Sequence, residues 1–223
     1  MDVSTAVKQR ISTRAYLDTP FPKAEVEQWL RDAARAPSGG NLQPWRVIAL
    51  AGDEKQKIID MATATLAENP RGEPTDRPIY PDYITDAQKA RRYAVGNEMY
   101  GKLGIPREDK MARLMWFSRN YRFFDAPLAL FFVLDERVGH GQWGHTGMLM
   151  QTLALLAEER GWGTCMQECW GILRPSLKTA LGLADHEMVW CGMAVGLPDK
   201  TAPVNDLYTD RAELDEWVEM KGL

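Results

Sequence analysis

Histidine and cysteine are scarce, with three of each in 223 residues. The cysteines, Cys165, Cys169 and Cys191, form an odd set in a long chain. That argues against a disulfide framework and for a reduced, cytoplasmic setting with buried, inert thiols. Cys165-x-x-x-Cys169 lacks a second ligand pair and His140, His145 and His186 stand apart, so no metal site is legible. Long apolar runs are missing as well. No stretch approaches the roughly 18 residues of a membrane span, and the N-terminus carries no apolar signal core. Basic residues are outnumbered 27 to 31, a net charge of -4, which leaves no electrostatic footprint for nucleic acid or an anionic membrane. Also absent are a Gly-x-Ser-x-Gly elbow, a Walker loop and a Gly-x-Gly-x-x-Gly turn after a strand. The side chains of most hydrolytic chemistry are therefore missing, and an enzyme of this kind leans on a cofactor for its chemistry.

What is present suits one domain over residues 1–223, without internal repeats or low-complexity segments. Asp2 to Gln9 reads as a short helix capped by Asp2 or Ser4. Thr19-Pro-Phe-Pro22 introduces a second helix with Val26, Trp29, Leu30 and Ala33 at core spacing. Arg46 to Ala51 predicts a buried strand, and Asp53 the cap of a helix running to about Glu68. Asn69 to Pro81, with four prolines, predicts a loop or surface excursion. Helices are expected over Asp86–Leu103 and Arg107–Ser118. Leu128–Leu134 and Glu187–Gly196 read as strands buried on both faces. Between them, Gly141–Arg160 is a helix apolar nearly all round, which places it inside the protein or in a subunit interface. Thr164–Met166 predicts a short extended piece, Arg174–Leu181 a small helix, and Glu213 the start of a short C-terminal helix.

Three stretches carry candidate chemistry. Arg10-Ile-Ser-Thr-Arg14 places a guanidinium at each end of a hydroxyl pair, which suits phosphate or another anionic edge; alone, it also fits a solvated basic turn. Pro37-Ser-Gly-Gly-Asn-Leu-Gln-Pro-Trp45 has the glycines and amides of a ligand-contacting turn, and equally those of a helix terminator. Met99, Tyr100, Met111, Met115 and Trp116 lie on the apolar sides of the helices at 86–118, where adaptable and aromatic groups suit either flat ligands or an ordinary core.

Taken in order, Arg10-x-Ser12-x-Arg14, Pro37-Ser38-Gly39-Gly40-Asn41-x-Gln43-Pro44-Trp45, Phe123-Phe124-x-Ala126-Pro127, Gly161-x-Gly163-Thr164-Cys165 and the tail Asn205 to Arg211 resemble the FMN-dependent nitroreductase family over nearly the whole chain. The resemblance implies an α+β sandwich, a central mixed sheet flanked by helices, built as an intertwined homodimer with FMN between the subunits. It implies that Arg10 and Arg211 hold the FMN phosphate with Ser12 beside it. Arg14 is expected at flavin N1 and the C2 carbonyl, with Arg122 near the pyrimidine ring. Pro37, Ser38, Gly39 and Asn41 are expected to reach across from the partner subunit. A backbone N–H of Gln167–Glu168 is expected at N5, and residues 86–118 as a helical cover. Met166 stands where many relatives carry Pro, and His145 where an acidic residue is common.

The function so implied is reduction of nitroaromatics, nitrobenzoate-like ones included, by NADH or NADPH through ping-pong hydride transfer at flavin N5. No protein side chain is needed as acid or base for that step. Rival readings keep the fold and reduce quinones, flavins, enones or halogenated aromatics, or make the protein a flavin store without turnover.

Overall fold

The computed structural model describes residues 1–75 and 77–222. Within the loop expected at 69–81, Asp76 lies outside the described residues. The architecture follows from one strand. β3 (Leu128–Asp135) alternates by the two-residue period of a strand: Ala129, Phe131 and Val133 enter one apolar cluster, Leu128, Leu130 and Phe132 the other. The strand is thus buried on both faces, as its continuous apolar run predicts. β5 (Glu187–Pro198) pairs antiparallel beside it from Leu128–Val195 to Asp135–Glu187, with a register shift between Phe132 and Val133.

On its other side β5 carries β4 (Gly163–Gln167), from Gly163–Gly196 to Gln167–Gly192, and then β1 (Tyr16–Leu17). β2 (Arg46–Ala51) pairs antiparallel with β3 and ends the sheet. The pairings between these strands are all antiparallel, and the parallel component of the expected mixed sheet is a single bridge between Ser12 and Thr164. β2 departs from expectation: as an edge strand it leaves Arg46, Ala49 and Ala51 exposed.

Helices cover both faces. α3 (Gly52–Glu68) and α7 (Arg174–Ala180) close one cluster around Phe123, Phe131 and Trp170. α2 (Lys23–Ala33) and α6 (His140–Glu159) close the other. Trp29 of α2 is fully buried there, and its indole N–H donates to the Leu153 carbonyl at 3.0 Å. α6 buries Leu149, Met150 and Leu153 but leaves Met148 46% exposed, so it is not enclosed by its own chain.

Local caps correct several boundaries. Asp2 caps α1 (Val3–Gln9), accepting from the Thr5 amide at 2.9 Å. Asp53 is no cap: α3 starts one residue before it, and the carboxylate sits in the first turn, where it complements the helix dipole. Thr85 and Gln88 form a reciprocal capping box on α4 (Asp86–Lys102), and Asp109 caps α5 (Lys110–Ser118), which therefore begins later than Arg107. The tail forms only a short 3-10 turn at Leu214–Glu216 in place of the expected helix.

The N-terminal segment reaches the sheet through one close crossing. The Thr13 amide donates to the Thr164 carbonyl at 2.9 Å. A Cβ on Gly163 would meet Thr13 Oγ1 at 2.4 Å and Thr13 Cβ at 2.8 Å. Gly163→Ala therefore has to push residues 12–14 off β4, and overpacking of this kind costs about 1–3 kcal/mol. Chemical denaturation should read that loss, with affinity for the ligand of the Arg10–Arg14 segment falling alongside.

Candidate functional site

α1 ends at Gln9, so Arg10 leaves the helix and the chain turns extended through Ser12. Arg10, Ser12 and Arg14 share a cavity of about 460 Å³ with Lys8, Tyr208, Thr209 and Arg211. Residues some 200 positions apart are joined here by Asn205, which is buried. Its Oδ1 accepts from the Arg14 amide at 2.8 Å, and its Nδ2 donates to the Ala15 and Asp199 carbonyls, each at 2.8 Å.

The guanidinium groups are held by neutral partners. Arg14 Nη1 donates to the Ser12 carbonyl at 3.1 Å. Arg211 Nη1 donates to the Thr209 carbonyl at 2.8 Å, to Thr209 Oγ1 at 2.7 Å and to the Asp210 carbonyl at 2.9 Å. Among the described residues, Arg10, Arg14 and Arg211 make no ion pair with a carboxylate, so with Lys8 four cations border one cavity against the single carboxylate of Asp210. Such a set has the chemistry to receive a multiply charged anion.

Further along β4, Gln167, Glu168 and Cys169 line a second cavity of about 520 Å³ with Met166, Trp190, Phe117 and Asn120. Three residue steps along the strand separate Thr164, at the Ser12 bridge, from Gln167, roughly 10 Å at the usual rise. Gln167 is buried; its Nε2 donates to the Asn120 carbonyl at 2.8 Å, while its Oε1 has no hydrogen-bond partner. A buried acceptor of this kind calls for a donor from elsewhere. The turn bearing Asn120 is costly to hold: Phe123, Phe124 and Asp125 lie at φ of 52°, 52° and 63°. Left-handed backbone costs roughly 1–2 kcal/mol per non-glycine residue, and here it is held by stacking of Phe123 on Trp170 at 4.7 Å and by Lys55 donating to the Ala126 carbonyl.

The remaining expected residues lie elsewhere. Pro37, Ser38, Gly39 and Asn41 form an outer loop that lines neither cavity. His145 anchors it: the Gly39 amide donates to Nε2 at 3.2 Å, and Nδ1 faces Gln142 Oε1 at 2.9 Å. Arg122 is also outside both cavities, exposed and paired with Asp125 at 2.9 Å.

The family model described as Nitroreductase family matches residues 7–197. The chain belongs to the nitroreductase family. It is similar to the nitrobenzene nitroreductase of Ectopseudomonas oleovorans, 33% identical over 215 residues, covering 96% of this chain and 95% of that one. It is also similar to the 4-nitrobenzoate reductase of Pseudomonas putida, 32% identical over 212 residues, 94% of this chain and 91% of that one. Among solved structures, the FMN and NADPH-dependent nitroreductase NfnB from sphigopyxis sp. strain HMH superposes with a TM-score of 0.97, at 38% identity and with all of both chains covered. The fold is that of nitroreductases, and the protein is an oxidoreductase of that type.

Several lining residues of this nitroreductase escape a sequence reading. Ile79 and Tyr80, from the proline-rich stretch expected to be a mere excursion, line the second cavity. That stretch is pinned to the body by the Glu73 amide on the Ile172 carbonyl at 2.8 Å and the Glu73 carboxylate on Ser176. No local pattern announces such long-range ties.

The cysteines are free thiols: Cys165 and Cys191 are buried, and Cys169 is half-buried on the second cavity. Burial raises Cys165 and holds Cys169 well above the usual thiol range, with neighbouring thiols adding to the latter; burial pushes Cys191 up to about 12. Since the thiolate is the nucleophile, all three are protonated at neutral pH. Iodoacetamide should therefore leave native Cys165 and Cys191 unmodified until the protein is unfolded, as mass spectrometry would show. Their Ala or Ser variants should keep turnover.

Proposed function

We propose that this chain is an FMN-dependent oxidoreductase that reduces nitroaromatic compounds with NADH or NADPH, working as a homodimer. The observation that carries the reading is the clustering of the Arg10, Arg14 and Arg211 guanidiniums around one cavity, none of them in an ion pair and all four lining cations facing a single lining carboxylate, Asp210. A phosphomonoester dianion needs more than one cation, and Arg10 with Arg211 supplies two. The residues fit the rest of FMN as well. The stretch of strand from Thr164, at the Ser12 bridge, to Gln167 is roughly 10 Å long, the scale of a flat ring system, and the orphaned Oε1 of Gln167 suits a heterocyclic N–H. The relatives act, by their names, on nitrobenzene and 4-nitrobenzoate, and the structural neighbour is FMN and NADPH-dependent.

When bound, FMN supplies the two-electron hydride transfer from donor to acceptor. The chain's task is to hold and to bias. Arg14, fixed by Ser12 and Asn205, places a cation whose field favours the negative charge that reduction adds. Ser12 and Arg10 fix the phosphate end. No residue on either cavity has to shuttle a proton for the hydride step, in keeping with buried, protonated thiols and histidines placed elsewhere. Steady NAD(P)H oxidation that requires an added nitro compound is the expected result and excludes a flavin store; a protein that binds FMN without such turnover would overturn the reading. Arg14→Ala should keep the fold, weaken FMN binding and make the bound flavin harder to reduce. Losing one charge-assisted contact costs on the order of 1.5–3 kcal/mol, which a flavin titration and a redox titration would each register.

The homodimer is carried by what a single chain leaves uncovered. Met111, Leu114 and Met115 of α5, Met148 of α6, and Trp217 and Met220 of the tail are each at least 46% exposed. Side chains of this kind are what a subunit interface covers when they lie side by side, and closed two-fold pairing is the commonest arrangement. The Pro37–Asn41 loop, away from its own chain's cavities, is placed to serve the partner's. The expected interface exceeds roughly 2,000 Å², as in obligate dimers. Light scattering should find only dimers at micromolar concentration, and an active, FMN-loaded monomer would sink the idea.

A further inference from the structure

We propose that Arg92, stacked on Tyr80, is the anion-recognising residue of the acceptor site and selects nitroaromatics that carry a carboxylate. The inference rests on the nitroreductase reading above and deepens it. Arg92 and Tyr80 line the cavity that also holds Met166, Gln167 and Glu168, where Phe117 and Trp190 supply flat apolar walls. The Arg92 guanidinium carbon lies 4.0 Å from the Tyr80 ring centroid. Stacking occupies the face of a guanidinium and leaves its N–H edges free for bidentate contact with a carboxylate.

Nearby arginines are already engaged. Arg91, one residue earlier, points to Glu216 at 2.6 Å. Arg119 and Arg122 both pair with Asp125, at 3.1 and 2.9 Å. Arg113 lies over Tyr100 at 4.2 Å and gives its Nε–H to the Pro106 carbonyl at 3.1 Å. Among the described residues, Arg92 has no carboxylate within ion-pair distance and no carbonyl partner. It also borders the hollow between α4 and α5 with Tyr93, Tyr100 and Arg113, so one turn of α4 joins the cover to the cavity.

Glu168 is the second charged group on the lining. Without Arg92 the charged groups of the lining are reduced to this carboxylate. Removing Arg92 therefore disfavours an anionic acceptor relative to a neutral one, a difference that merely losing packing does not produce.

The test compares wild type with Arg92→Met, Arg92→Lys and Tyr80→Leu as FMN-loaded holoenzymes, using 4-nitrobenzoate and nitrobenzene. In Arg92→Met, the ratio of kcat/KM for 4-nitrobenzoate over nitrobenzene should fall about tenfold or more, the scale of one charge-assisted contact. The change should appear in KM, and the wild-type preference should shrink as salt is raised. Arg92→Lys should recover part of the ratio by charge, and Tyr80→Leu should lose part of it. An unchanged ratio in Arg92→Met overturns the inference. Calorimetric titration of 4-nitrobenzoate into the oxidised protein, with no electron donor, reads the anion site without turnover. Arg92-dependent binding without turnover would overturn the nitroreductase reading and keep this site; turnover with Arg92-independent binding would do the reverse.

Discussion

One buried amide holds the anion cavity together. Asn205 meets one backbone N–H, from Arg14, and two carbonyls, from Ala15 and Asp199. Only one orientation of its side chain matches one acceptor to the N–H and two donors to the carbonyls. Through these bonds the tail is tied to the N-terminal segment, and Arg211 is brought to the cavity of Arg10 and Arg14. No hydroxyl or acid of similar size offers the same set. Leaving a buried carbonyl unpaired costs about 1–3 kcal/mol, comparable to burying Val204 or Leu207 of the same tail, so the tail's course depends on this residue as well as on its apolar contacts.

The sheet supplies the second half of the constraint. β4 is short, and it is fixed by β5, whose neighbour β3 is the strand packed from both sides. The crossing at Gly163 and Thr13 transmits that rigidity to Ser12 and Arg14. Arg10 and Arg14 thus stand on an otherwise extended, half-buried segment without a helix to support them. Rigid placement matters because a guanidinium that must reorganise when charge develops stabilises less than one already in place.

Much of this was legible in the residues. The uninterrupted run Leu128–Leu134 announced a strand buried on both faces, and it is one. Arg10, Ser12, Arg14 and Arg211 were expected together from their resemblance to a family pattern, and one cavity holds all four. Other features were not legible, for physical reasons. The Val47–Leu50 stretch is apolar enough for a core strand, but an edge position depends on which strands find partners, a property of topology and not of the run itself. Asp53 has the chemistry of a cap, yet Gly52 at φ 52° lets the helix begin earlier. The Ile79–Tyr80 contribution depends on Glu73 docking against Ser176 a hundred residues away, which no local pattern encodes.

The two cavities are built differently. The cavity of Arg10, Arg14 and Arg211 is fixed by a backbone crossing, a buried amide and the neutral partners of Arg14 and Arg211. The second cavity is bordered by a helix, α4, that buries none of its residues and by aromatic and methionine side chains that can repack. Arginines over tyrosine rings recur there, Arg92 on Tyr80, Arg107 on Tyr93 and Arg113 on Tyr100. Such pairs tie neighbouring side chains together without burying charge, since the cation keeps its edges in water. The two helices are still joined to the rest of the chain: Arg91 pairs with Glu216 of the tail at 2.6 Å, and Trp116 packs beside Phe124 against the core. Side chains on their exposed faces can therefore vary with little effect on the sheet, while those at these contacts cannot.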